Sequence, residues 1–314
     1  MNRKIIILPM LALILATMAC LVQVTPTLPP GPTAVAPTGT SLPLAPSATP
    51  VAPTPTALTL DMLRNGTYYL PNYKRTVKLV SGAYTEGSGA DQYSVKMLDT
   101  VAFGDMNDDG VTDAAILLVE NGGGTGEFES VVAVLNNNGA PSQAGQALLG
   151  DRVQVRAMTI TSGVLAMDML VQGPNDPMCC PSQLESQTYR MVGNAFWLTN
   201  LDTITPQVQK RTITINTPTD GTSVTNPFTI SGAETIAPFE NTLSYRVFLP
   251  DGTKVNEATV PVDSGGVAGG PGTFSQTFNL SSAGVSGPVI FQFVDVSAAD
   301  GSTQALGSVV LTLP

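Results

Sequence analysis

Past residue 58 the chain alternates apolar and polar positions in short runs, broken by Gly, Asn and Pro, and that pattern predicts strands almost throughout. Runs at 67–70, 76–79, 93–98, 114–120, 130–135, 153–160, 164–171, 186–192 and 195–198 each read as a strand. Turn signals such as Ser81-Gly82, Ser162-Gly163 and Gly193-Asn194 separate many of them. The one helical turn expected is 60–64, opened by Thr59 and stopped at Asn65-Gly66. Val153, Val155 and Ala157 share one face, but Met158 and Ile160 continue in the opposite phase, which predicts a β-bulge or an early strand end near Ala157. Leu165, Met167, Met169 and Val171 line one face of the next strand, while 114–119 is apolar on both faces and suits a central strand. The region 58–201 therefore reads as a curved antiparallel β domain with little helix, either open or closed on itself.

After a short connector at 202–211, the text from residue 212 to 314 repeats the theme with seven or so short strands at near-regular spacing, the signature of a β-sandwich of about 100 residues. Leu243, Tyr245, Val247 and Leu249 alternate with Ser244, Arg246 and Phe248, and Pro250-Asp251-Gly252 makes the turn. The fold class expected is all-β: a curved antiparallel domain followed by a sandwich.

The N-terminal text is different. Asn2-Arg3-Lys4 precedes a run at 5–18 that is apolar apart from Pro9 and Thr17, followed by Ala19-Cys20. A basic start, a short apolar stretch and small residues at the cut form a signal peptide over 1–19. At about 14 residues the run is short of the roughly 20 a spanning helix needs. With Cys20 at the cut it resembles a bacterial lipoprotein signal, although Thr17 stands where that family favours Leu. The resemblance implies lipidation of the Cys20 thiol, and hence an extracytoplasmic protein anchored to the membrane by acyl chains. Residues 20–57 form a linker of Pro, Thr, Ala and Ser, and 22–57 holds ten prolines and no charged residue. Such a stretch cannot bury a core and reads as a disordered, extended stalk, reaching up to about 110 Å at 3.1 Å per residue.

Two further resemblances cover the folded text. Asn65-Gly66-Thr67-Tyr68, 103–118, the glycines of 122–126 and 173–181 together resemble an uncharacterised domain of bacterial envelope lipoproteins, which brings no activity with it. The opening 213–218 with Asp220-Gly221, then Asn226-Pro227 through Ile230-Ser231-Gly232, Phe239-Glu240 and 294–302, resembles the immunoglobulin-like domain of bacterial spore germination. That resemblance implies an immunoglobulin-like fold outside the cytoplasmic membrane and no catalytic residues.

The segment "GDMNDDGVTDAAILL" at 104–118 carries the most specific chemistry. Asp105, Asn107 and Asp109 match positions 1, 3 and 5 of a calcium loop, Gly110 supplies the turn, Val111 offers its carbonyl at position 7, and Asp113 stands at position 9. Ile116 replaces the glutamate that closes an EF-hand, so the loop is not of that kind. With Phe103-Gly104 before it and an apolar strand after, it resembles the single loop of FG-GAP-type extracellular repeats, which closes a β-hairpin. A structural calcium and a self-hydrogen-bonded Asx-rich turn both fit the spacing.

Charge and composition then narrow the function. The chain carries 24 Asp and Glu against 14 Lys and Arg, so nucleic acid is repelled and is not an expected partner. It contains no histidine, which removes the commonest general base, the commonest zinc ligand and every Ser–His or Cys–His pair. No lysine has a serine three residues before it, and no pair of carboxylates stands out for glycosidase chemistry. Asn121-Gly122-Gly123-Gly124-Thr125-Gly126 lacks the Gly-Lys-Ser/Thr of a phosphate loop and leads into a strand, so it reads as a hairpin loop. Cys179 and Cys180 are the thiols left once Cys20 is lipidated, and they read as a vicinal disulfide, as free buried residues or as metal ligands. Asp295, Asp300 and Glu240 read as turn residues more readily than as a second cation site. The function expected is a non-catalytic, membrane-anchored surface lipoprotein with a binding or adaptor role toward an envelope protein or polysaccharide. A sporulation- or germination-associated envelope protein is the alternative, and a carboxylate glycosidase or redox protein a third.

Overall fold

The computed structural model describes residues 56–314. The signal peptide, Cys20 and the linker up to residue 55 lie outside the described residues. Among the described residues no helix is long and apolar enough to cross a membrane.

The chain opens with α1 (Leu60–Arg64), whose first turn is capped by Thr59 Oγ1 accepting the Met62 N–H at 3.3 Å. A hairpin of β1 (Thr67–Leu70) and β2 (Arg75–Lys78) follows. Then β3 (Ala83–Glu86), β4 (Tyr93–Gly104), β5 (Asp113–Asn121), β6 (Phe128–Asn137) and β7 (Ala140–Asp151) form an antiparallel sheet in chain order. A second antiparallel run comprises β8 (Gln154–Thr161), β9 (Val164–Val171), β10 (Gln183–Val192) and β11 (Ala195–Ile204).

The first region is thus layered and open, and no closed barrel forms. The burial pattern of β5 explains why. Ala114, Ile116 and Leu118 face one way and pack with Val132 and Val134 beneath Leu63, Tyr68, Leu70 and Leu79 of the N-terminal helix and hairpin. Ala115 and Leu117 face the other way and pack with Val131 against Met158, Leu165, Met167 and Met169 of β8 and β9. A strand covered on both faces must be apolar on both faces, as β5 is. The phase slip expected in β8 is a bulge, with the register shifting between Val155 and Ala157 opposite β9.

β12 (Lys210–Arg211) folds back on the end of β11. β13 (Ile213–Thr217), β14 (Phe228–Glu234), β15 (Thr242–Phe248), β16 (Lys254–Asp263), β17 (Gly272–Phe278), β18 (Gly287–Val296) and β19 (Thr303–Leu313) build the second region, an immunoglobulin-like sandwich. One layer is β13-β14-β17 and the other β15-β18-β19. β16 serves both, pairing with β15 up to Pro261 and with β17 at Val262 and Asp263. The core between the layers is aromatic, with Phe278 and Phe291 ring centroids 4.9 Å apart and Tyr245, Phe274 and Phe293 around them. Packing alone holds it, since neither cysteine of the described residues lies in this region.

The two regions are not beads on a linker. β11 pairs with β19 through Asn200 opposite Gly307, Leu201 opposite Leu306 and Asp202 opposite Ala305, so one hydrogen-bonded network of twelve strands runs from β8 through the sandwich. The connector expected at 202–211 consists of the end of β11, a turn closed by Val208 N–H to Thr205 O at 2.8 Å, and β12.

Candidate functional site

The acidic loop closes the β4–β5 hairpin, with Gly104 opposite Asp113. Asp105 Oδ2 accepts the Gly110 N–H at 2.7 Å, and Asp109 Oδ1 accepts the Val111 N–H at 2.8 Å. The Asp109 N–H lies 3.3 Å from both Asp105 Oδ1 and Asn107 Oδ1. Asp108 and Gly110 turn the chain with φ of 60° and 79°. Asp113 is placed differently. It is fully buried, and its two oxygens accept the N–H groups of Met106 (2.9 Å) and Asn136 (2.8 Å), tying the loop to β6. Burial raises its carboxyl above the usual value, against the pull of those two bonds.

Among the described residues no group of three or more His, Cys, Asp or Glu side chains is placed to hold a metal ion. Each carboxylate or amide oxygen keeps a second lone pair beyond the N–H bond it accepts, so Asp105, Asn107 and Asp109 with the Val111 carbonyl retain oxygen donors of the hard kind calcium takes. Asp113 ties the loop to β6 through one N–H bond at each oxygen and by the same count keeps a second lone pair on each.

Two other motifs meet through one side chain. Asn121 organises the glycine run, its Oδ1 accepting the Gly123 N–H at 2.8 Å and its Nδ2 donating to Gly126 O at 2.9 Å. Arg152 donates to Thr125 O in this run and to Met178 O in the cysteine loop (3.2 Å). Cys179 and Cys180 are joined as a disulfide on an exposed loop, whose base Asp176 fastens by accepting the Gly173 and Ser182 N–H groups at 2.8 and 2.7 Å. Neither cysteine is buried.

The densest polar construction lies at the junction of the two β regions, where the sequence pattern pointed to nothing. Arg190 of β10 grips Asp220 with both terminal nitrogens, and Asp220 Oδ1 also accepts the Val310 N–H at 2.7 Å. Burial pushes the Asp220 carboxyl up, but its bonds to Arg190 and Val310 outweigh that and hold it below the usual range. Gln292 Nε2 donates to Leu198 O at 3.0 Å, and Ser308 Oγ donates to Thr199 O at 2.8 Å. Trp197, the ladder partner of Arg190, packs its ring at a tilt against Phe248 with centroids 5.3 Å apart, and its Nε1 donates to Pro250 O at 3.3 Å. Beside this seam opens a cleft of about 420 Å³, floored by Thr188, Asn200 and Asp202 and walled by Ile213 and Ile215.

Close to the junction, Glu234 of β14 stands near Asp295 of β18 and Arg211 of β12; Asp295 and Asp202 both pair with Ala305 of β19. Asp295 is buried and paired with Arg211, so it is no solvated turn residue, whereas Asp300 is one, accepting the Ser302 N–H at 3.1 Å. Both Glu234 oxygens are buried without a hydrogen-bond partner. Desolvation, reinforced by the Asp295 charge and opposed by Arg211, raises the Glu234 carboxyl to about 8.

Residues 212–302 match the family model of the immunoglobulin-like domain of bacterial spore germination. No curated protein and no solved structure matches the chain.

Proposed function

We propose that the protein is a non-catalytic envelope lipoprotein, anchored through Cys20, which holds a rigid two-part β body away from the membrane on its Pro/Thr-rich stalk and presents it to another envelope component. The observation that supports this reading best is the β11–β19 pairing, which joins the two regions into one hydrogen-bonded network. A hinge between domains suits an enzyme that closes on substrate, whereas a continuous sheet suits display at a fixed angle. In the same reading, calcium at Asp105, Asn107, Asp109 and the Val111 carbonyl stiffens a hairpin of that body and takes no part in chemistry.

The anchor is tested by Cys20→Ala in cells, which is expected to move the protein from the membrane to the soluble fraction; retention in the membrane would count against it. A role in sporulation or germination is the second reading, favoured by the family match at residues 212–302. Deletion of the gene in a spore-forming host is expected under that reading to change germination kinetics, and unchanged spores would leave the general envelope role standing.

A further inference from the structure

Cys179 and Cys180 are joined to each other, so their bridge spans a single peptide unit and ties no two segments together. A disulfide stabilises a fold chiefly by removing freedom from the unfolded chain, and that gain grows with the loop it closes. Between neighbours in sequence the loop is the shortest there is. As a staple, this bridge contributes the least a disulfide can.

The loop that carries it is held by other means. Asp176 accepts the Gly173 N–H, the Ser182 N–H and the Ser182 hydroxyl at 2.8, 2.7 and 2.6 Å, which closes the base. Pro177 O accepts the Cys180 N–H at 2.9 Å and Gln172 Nε2 at 2.8 Å, which fixes the turn that carries the sulfurs. Arg152 donates to Met178 O at 3.2 Å, and Pro181 is buried. None of these contacts uses a sulfur atom, so the loop keeps its form whether the sulfurs are joined or apart.

The bridge is also open to attack. Pro177, Met178, Cys179 and Cys180 are all exposed, Met178 at 73%. Exchange proceeds by attack of a thiolate on a disulfide sulfur, and its rate depends on access to that sulfur. A structural bridge is protected because the fold covers it; this one stands outside the cores.

We propose that Cys179–Cys180 is a reversible thiol–disulfide exchange site, reduced by the paired thiols of another extracytoplasmic protein. A partner thiolate attacks one sulfur, the Sγ–Sγ bond breaks, and the other cysteine leaves as a thiolate that takes a proton from water. The partner's second thiol then gives up its proton and attacks the partner sulfur of the mixed disulfide. That step releases the remaining cysteine thiolate, which is protonated in turn. Two electrons and two protons pass: the partner's dithiol becomes a disulfide, and Cys179 and Cys180 become thiols. A single thiol does not complete the sequence, since the freed cysteine lies beside the mixed disulfide and expels the incoming group. The protein is the substrate of this exchange and not its catalyst. Only the location of the partner rests on the anchor; the site itself does not.

The test uses residues 56–314, in which Cys179 and Cys180 are the only cysteines, with dithiothreitol and glutathione as probes and maleimide mass labelling as readout. Purified in air, the protein is expected to take up no label, and after dithiothreitol to label at both cysteines. Reduction of the folded protein is expected to run at no less than about one-tenth of the rate in the urea-unfolded chain. The reduced protein, and the variant combining Cys179→Ser with Cys180→Ser, are expected to melt within about 2 °C of the oxidised parent. Glutathione at the same thiol concentration is expected to reduce the bridge at least about 10-fold more slowly. In Cys180→Ser, where no neighbour can expel it, glutathione disulfide is expected to leave one glutathione on Cys179. Label taken up without reductant, slower reduction than that tenth, a larger fall in melting temperature or no adduct on Cys179 overturns the proposal. A glutathione rate within the stated factor overturns the paired-thiol partner. Each of these failures leaves the Cys20 anchor and the joined β body as they stand.

Discussion

Arg190 on β10 and Asp220, in the turn after β13, form a two-pronged ion pair across the boundary between the two β regions, with Nη2 to Oδ1 at 2.6 Å. The same Asp220 oxygen accepts the Val310 N–H of β19, so one carboxylate joins three segments. Exposed pairs contribute little because water screens them, but paired forks with a fixed partner contribute more. Arg190→Ala is expected to lower unfolding stability by about 1 kcal/mol. Asp220→Ala, which also strips the Val310 N–H of its acceptor, is expected to cost about 2 kcal/mol. The double variant should cost no more than Asp220→Ala alone, because the two changes remove one shared interaction. Urea titration of the four proteins checks all three values.

Asp113 has a role that its spacing alone disguised. Asp113→Ala would leave the Met106 and Asn136 N–H groups buried without acceptors, and is expected to cost about 2–4 kcal/mol with or without calcium. Asp113→Asn, which keeps one acceptor oxygen, should recover part of that. The same loss in calcium and in chelator marks a strut; a loss confined to calcium would mark a ligand.

The loop residues Asp105 and Asp109 are the contrasting case. Calcium at millimolar concentration, the range of extracellular modules at about 10⁻⁴–10⁻³ M, is expected to raise the melting temperature of the parent by a few degrees. Asp105→Ala combined with Asp109→Ala is expected to abolish that increment. Identical melting of parent and variant, with and without chelator, would rule out the metal.

The pH dependence of stability should carry the mark of Glu234. Its folded carboxyl titrates at about 8 against an ordinary 4.5, so the folded state holds the proton more tightly than the unfolded chain. The stability this confers is full below about pH 4.5 and is lost as pH rises through 8. Glu129 and Glu185, each raised to about 7 chiefly by desolvation, act in the same direction. Glu234→Gln, neutral at every pH, is expected to lose less stability than the parent between pH 5 and pH 9. Since Glu129 and Glu185 are common to both proteins, the difference between their urea midpoints isolates Glu234. Parallel curves would show that the Glu234 carboxyl titrates normally.

What the chain reveals locally, and what it hides, divides along contact distance. β9 is legible to the residue because Leu165, Met167 and Met169 alternate cleanly between a Ser162-Gly163 turn and a Gly173-Pro174 break. β5 is legible as a central strand because both of its faces are covered. β7, reading APSQAGQALLGD, is not: a half-buried strand of small and polar residues carries no apolar period. The apolar pattern ends β11 at Leu198, yet the strand continues to Ile204 because β10 pairs with it out to Thr203 and β19, a hundred residues on, pairs with Asn200, Leu201 and Asp202 on its other side. The same reason hid the candidate site. Arg190, Asp202 and Asp220 sit in unremarkable strand and turn text, and only the fold brings them to one seam. Asp113 shows the converse: its spacing suggests a ligand, and that spacing does not reveal that its two oxygens also accept the Met106 and Asn136 N–H groups.

That the two β regions behave as one body is tested most directly by Trp197, the single tryptophan of the chain, which lies at the junction between Phe248 and Pro250. Its fluorescence reports the seam, and far-ultraviolet circular dichroism reports the strands on both sides. With both signals followed through one urea titration of residues 56–314, the continuous sheet predicts a single transition with coincident midpoints. A Trp197 signal that changes at lower urea, while the strand signal persists, would mean that the seam opens first and that the two regions are separate bodies.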